Sequence, residues 1–191
     1  MELNRSMAKP NKEQILLLDE LRDFVIEVMR DMPEWIDAKV ERLRSIPLGV
    51  LRRNATQRHG VTRWKRGVDL HSLQPEDVEV IDIHPKMLSP QWKAYSAFVL
   101  HHEYIHALGL RAHNTLFRQL EAAWPGRTAG EHGVPFTEHL RLEKAIWLWC
   151  CPDCDQEYPR QKPSRRKYRC RKCNTILLDK RNPNFGLAPT H

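Results

Sequence analysis

The sequence predicts an α+β fold: N-terminal helices, a small β-sheet, a further central helix and a cysteine-rich C-terminal module. Three observations lead there. Apolar residues recur at helical spacing over residues 12–46 and again over residues 92–106, and compact runs of β-forming residues lie between them. Four of the five cysteines fall into two Cys-x-x-Cys pairs near the end. A chain of 191 residues can bury one core of ordinary size beside a small appendage, and is too short for two full enzymatic domains.

Taken in order, Asn11 and Gln14 form a capping-box pattern, and Ile15, Leu18, Leu21, Val25, Val28 and Met29 follow at three- and four-residue steps. They predict a helix over residues 12–30. Pro33 interrupts it and suits the first turn of another, with Trp35, Ile36, Val40 and Leu43 continuing a helical stripe as far as Pro47. Residues 48–64 hold two short β-forming runs around a polar turn and read as a hairpin; residues 78–83 read as a third strand. Ser89 and Pro90 predict the start of a helix carrying Trp92, Tyr95, Phe98, Val99, His102, Ile105 and His106 on one stripe, closed by Gly109. A last helix is expected over residues 135–148.

Composition narrows the functional class. Hydrophobic residues make up 41% of the chain and charged residues 29%, with a mean hydropathy of -0.62, which fits a soluble globular protein with no membrane span. The polar N-terminus lacks the apolar core of a secretion signal, so a cytoplasmic location with reduced thiols is expected. The net charge of +7 is concentrated: residues 150–191 hold ten Lys or Arg against four acids, leaving 21 and 20 in the first 149. Such a basic module suits a polyanionic partner.

His102, Glu103 and His106 form a His-Glu-x-x-His pattern on the central helix. Positions i and i+4 stand one above the other, so both imidazoles can share one metal ion. Glu103 lies beside them, where a carboxylate can take a proton from water. Zinc in such a site needs a third protein ligand and an open fourth position. His113 is the choice, because Gly109 lets the chain turn back under the helix; Glu121 is the main rival, with His132, Glu138 and His139 more distant. His101 points away and reads as a supporting or surface residue.

Cys151, Cys154, Cys170 and Cys173 have the spacing of a four-cysteine structural zinc site, each pair supplying two thiolates from one tight turn. Arg165, Arg166, Lys167, Arg169, Arg171 and Lys172 crowd around the second pair, with Tyr158 and Tyr168 among them. Basic groups near aromatics suit phosphate contact and base stacking, and no base-reading motif is present, so sequence-independent DNA binding, to single strands or duplex, is expected.

The segment from His102 to Phe117, His-Glu-Tyr-Ile-His-Ala-Leu-Gly-Leu-Arg-Ala-His-Asn-Thr-Leu-Phe, resembles the metal-binding region of the SprT-like metalloproteases, in which a His-Glu-x-x-His helix precedes a His-x-x-x-Phe element. The resemblance implies a zincin-like metalloprotease core, with His102, His106 and His113 as ligands of a catalytic zinc and Glu103 as the catalytic base. Asn114 departs from the glycine often found there. On this reading residues 1–46 are the N-terminal helical segment, 47–149 the metalloprotease core, 150–180 a ribbon with one structural zinc, and 181–191 a tail. The function expected is zinc-dependent hydrolysis of protein substrates associated with or crosslinked to DNA, a role in DNA repair. The alternatives are a non-catalytic nucleic-acid-binding zinc protein and a metal-dependent hydrolase of a non-peptide substrate.

Overall fold

In the computed structural model, residues 8–36, 40–52, 54–55, 57–126 and 129–185 are described. The chain forms two compact units, Met1–Gly133 and Val134–His191. The division falls ahead of the expected boundary at residue 150, grouping most of the last helix with the cysteine-rich module.

The first unit begins with α1, Lys12–Asp31, whose capping box forms as the sequence predicts: the Gln14 amide donates to Asn11 Oδ1 and the Asn11 amide to Gln14 Oε1, at 2.8 and 3.0 Å. Leu18, Leu21, Val25, Ile26 and Met29 are its buried face. Met32, ahead of Pro33, is extended and ends the helix. The expected second helix is instead two short 3₁₀ segments, Pro33–Trp35 and Val40–Ser45, with residues 37–39 outside the described part. Val40, Leu43 and Ile46 are buried at steps of three, which is the 3₁₀ repeat, while Ile36 is 80% exposed.

The sheet corrects the expected hairpin. Strands β1 (Leu48–Val50), β2 (Gly60–Trp64) and β3 (Val78–Ile83) lie in the order β1-β3-β2, with β1 parallel and β2 antiparallel to β3. β1 and β2 never pair. β3 is the longest of the three strands, and five of its six residues are buried, so it takes the centre and its neighbours take the edges. The intervening segment is tied down by His84, whose Nε2 lies 3.1 Å from the Ala55 carbonyl.

A 3₁₀ turn at Pro90–Trp92 leads into α2, Lys93–Ala107, which packs on α1, β2 and β3. The Ser89 hydroxyl donates back to the Lys86 carbonyl rather than capping α2. Gly109 follows with φ +103°, a conformation open to glycine. α3, Thr115–Ala122, starts at Asn114, whose Oδ1 accepts the Phe117 amide at 3.0 Å. Asparagine there is thus a helix cap at negative φ, and no glycine is required.

The last helix, α4, spans Ala129–Lys144, with residues 134–144 in the second unit, and ends earlier than expected. Trp147–Cys150 is a strand, β4, flanked by β5 (Glu157–Arg160) and β6 (Leu178–Arg181) in an antiparallel sheet of order β5-β4-β6. The Trp-Leu-Trp alternation fits a pleated strand better than a helix end. Cys151, Cys170 and Leu177 form a small core with Trp149, Cys154 and Tyr158 against it. Among the described residues no helix is long and apolar enough to cross a membrane.

Candidate functional site

The four-residue spacing of His102 and His106 places their rings one helical turn apart, with centroids 4.9 Å from each other. The turn at Gly109 and the Asn114 cap then bring His113 back, so that its Nε2 lies 3.1 Å from His106 Nε2 and 3.3 Å from His102 Nε2. Phe117, fully buried on α3, supports all three rings at centroid distances of 4.9, 4.7 and 4.5 Å.

The outer ring nitrogens decide what the inner ones offer. His106 Nδ1 is 2.7 Å from the Leu110 carbonyl, which only accepts, so Nδ1 carries the proton and Nε2 a lone pair. His102 Nδ1 is 2.6 Å from Glu121 Oε1, and Arg118 donates to the other Glu121 oxygen at 2.8 Å. Burial would raise the Glu121 carboxyl, but hydrogen bonds from His102 and Arg118 hold it below its ordinary value. Burial lowers His102, and lowers His106 to about 4, so both rings are neutral at neutral pH. Neutral rings facing one point make a donor set for a cation. A tetrahedral zinc with Zn–N bonds of about 2.0–2.1 Å separates its nitrogens by about 3.3 Å, close to the spacing seen, so His102, His106 and His113 could hold one such ion.

Glu103 sits between α2 and β2. Thr62 Oγ1 donates to Glu103 Oε2 at 2.7 Å, and Gly60, on the same strand face, leaves room for the carboxylate: a Cβ there would stand 2.8 Å from Oε1 and 2.6 Å from Val99. Burial raises the Glu103 carboxyl to about 7, with Thr62 pulling the other way. Such a group accepts and returns a proton near neutrality. Glu103 and the three histidines line one open groove with β2, an edge strand.

The rival residues lie elsewhere or act differently. Glu121 meets the outer nitrogen of His102 rather than the inner face of the cluster. His132 stacks on Tyr95, His139 pairs with Glu143 at 3.5 Å, and Glu138 is exposed. His101 is no surface residue. It is fully buried against Trp35 and Trp124, and burial lowers it to about 3, leaving it a neutral core ring.

In the second unit all four paired cysteines converge as thiols: Cys151 and Cys173 sulfurs are 3.2 Å apart, Cys154 and Cys170 3.5 Å, Cys154 and Cys173 3.7 Å. These separations suit a tetrahedral cluster around zinc, whose Zn–S bonds of about 2.3 Å place sulfurs about 3.8 Å apart. The Lys172 amide donates to Cys170 Sγ at 3.4 Å, and the Tyr158 hydroxyl lies 3.3 Å from it.

Arg165, Arg166, Lys167, Arg169, Arg171 and Lys172 are all exposed. Arg165 and Arg166 are both left-handed, with φ 51° and 60°, and Asp179 accepts the amides of Ser164 and Arg165 at 2.5 and 2.9 Å. The sequence reading missed a second basic and aromatic surface. Trp147 and Trp149 share one face of β4, opposite Arg160, Arg181 and Tyr158. Arg181 lies over Trp147 at 4.2 Å, Arg160 over Trp149 at 5.0 Å, and Tyr168 stacks on Trp149 at 4.4 Å. The signal was the Trp-x-Trp alternation at residues 147–149, hidden by its assignment to a helix.

Comparison with known proteins agrees with this anatomy. The SprT-like zinc ribbon domain matches residues 146–180. The Protein SprT-like of Streptococcus equi subsp. zooepidemicus (strain H70) is 26% identical over 107 residues, covering 52% of this chain and 69% of that protein. The Protein SprT-like of Streptococcus equi subsp. equi (strain 4047) is 25% identical over the same length and shares. No solved structure matches. The chain thus carries a match to the SprT-like zinc ribbon at its end and is similar over about half its length to SprT-like proteins.

Proposed function

We propose that this chain is a zinc-dependent metallopeptidase that cleaves proteins associated with nucleic acid. The observation that carries the reading is the set of three imidazoles whose ring nitrogens all lie within 4.8 Å of one another, two with their outer nitrogens fixed, beside a buried carboxyl raised to about 7. His102, His106 and His113 would hold the metal, and bound zinc would supply a Lewis acid that polarises a peptide carbonyl and acidifies water. Glu103 accepts the proton of the attacking water and delivers it to the leaving amine. Thr62 and Gly60 keep that carboxylate in place, and Glu121 holds His102 in the tautomer that turns its lone pair inward.

The partner half of the reading is supported by the ribbon, where exposed cations stand beside stacked Trp149 and Tyr168. The test compares cleavage of a DNA-binding protein by the purified chain with and without single-stranded DNA. Activity that rises with DNA is expected; equal activity in both removes DNA from the reading and leaves the peptidase. Replacing Arg165, Arg166 and Lys167 together by Ala should flatten the slope of log affinity against log salt by up to about two units, each lost phosphate contact contributing about 0.7 on single strands. An unchanged slope would exclude these side chains as phosphate contacts.

The ligand set has its own check. His113→Ala is expected to remove activity and most zinc affinity at this site. Glu121→Ala should leave zinc bound about 10–100-fold more weakly, because only the orientation of His102 is lost. The reverse order, measured by competition with a chromophoric chelator, would make Glu121 the ligand.

A further inference from the structure

The groove that holds the candidate zinc site also holds two cations that no carboxylate among the described residues meets. Arg58 lies two residues ahead of Gly60 on the approach to β2, and Arg111 two residues ahead of His113 in the loop after α2. Both are exposed, and both line the groove with His102, Glu103, His106 and His113. Elsewhere in this unit Arg22, Arg42, Arg63 and Arg118 each meet a carboxylate. Among the described residues no carboxylate meets Arg58 or Arg111, and the single acidic residue lining the groove is the buried Glu103.

From this arrangement we infer that Arg58 and Arg111 are specificity-determining residues that select an acidic side chain, Asp or Glu, next to the scissile bond of a peptide substrate. The inference rests on the peptidase reading above. An extended chain that places its carbonyl beside His102, His106 and His113 lies in the groove that Arg58 and Arg111 also line, and a carboxylate near either finds a planar donor fork. A basic residue at the same place meets two like charges. Nucleic-acid phosphate is disfavoured as the occupant, because the two arginines share their groove with the hydrolytic groups and a backbone-tracking surface needs a longer run of cations. That run lies on the ribbon.

The experiment uses the full chain with zinc and three peptides identical except for Asp, Ala or Lys at both residues flanking the central bond. Binding is read by fluorescence anisotropy on the Glu103→Gln protein, and cleavage on the unsubstituted protein with quenched versions of the same peptides. An exposed ion pair contributes up to about fivefold, so the Asp peptide is expected to bind and react about tenfold better than the Lys peptide. The ratio should fall to within about twofold in Arg58→Ala, Arg111→Ala. It should invert in favour of Lys in Arg58→Glu, Arg111→Glu, which a misfolded protein would not do.

Equal treatment of the three peptides, or a tenfold preference that survives removal of both arginines, overturns the inference and leaves the peptidase reading standing. So does a double variant that loses single-stranded DNA affinity while its peptide ratio is unchanged, since the arginines would then serve phosphate. A charge-dependent binding ratio that follows the arginines while the unsubstituted protein cleaves nothing supports the selection and overturns the peptidase reading.

Discussion

Glu103→Gln is expected to reduce proteolysis by at least about 10²–10⁴-fold while zinc content and fold are retained. Gln keeps the shape and can still accept the Thr62 hydroxyl, but cannot take a proton from water. Near-normal turnover would remove Glu103 from the mechanism. The same substitution has a second, metal-free signature. The folded carboxyl stands at about 7 against an ordinary value of 4.5, because burial disfavours its charge. A group raised in this way contributes stability that is full below 4.5 and is lost as pH rises through about 7. With chelator present, the Gln variant should therefore be more stable than the unsubstituted protein at pH 8, by up to about 3 kcal/mol, with the difference closing toward pH 4. Chemical denaturation at both pH values checks this; equal stability at pH 8 would show that Glu103 meets a countercharge or water in the folded state.

The second large effect lies in the ribbon. Replacing Cys151 and Cys154 together by Ser is expected to release one zinc per chain and to unfold the β5-β4-β6 sheet. The buried cluster around the cysteines consists of Cys151, Cys170 and Leu177, with Leu148 the buried residue of β4, and two of the cluster's three are themselves in the cysteine site. So small a core does not offset the entropy of ordering the surrounding loops, whereas structural zinc contributes about 10–16 kcal/mol in small metal-dependent folds. Metal analysis should fall by one equivalent, and amide exchange across residues 147–181 should become fast. Full zinc content in the double variant would refute the assignment. If the chain holds two zinc ions, His102→Ala with His106→Ala should remove the other one and leave ribbon exchange slow.

What could be read from the sequence depended on distance along the chain. The α1 capping box, the shared face of His102 and His106 and the turn at Gly109 are all decided within a few residues, and the structure brings these groups together as expected. The cysteine pairs were legible for the same reason, since each Cys-x-x-Cys turn is local. Failures came where partners are remote or where a short apolar run fits two periods. β1 pairs with β3 across a crossover containing β2, which local β propensity does not reveal. Residues 146–150 are too short a run to separate a helix end from a strand. Glu121 is a candidate ligand in the sequence because it lies on the segment just after His113. Its actual partner, the outer nitrogen of His102, became visible only once α3 was placed against α2.

The left-handed pair Arg165 and Arg166 sets stability against function. A non-glycine residue in that region costs about 1–2 kcal/mol, and glycine at both positions would remove much of that strain. It would also delete two of the exposed charges proposed to grip nucleic acid. A ribbon selected only for stability would drift toward glycine at this turn, while one selected for grip would retain arginine and depend more heavily on its metal, so thermal resistance and strand affinity become opposing axes in any effort to engineer the module.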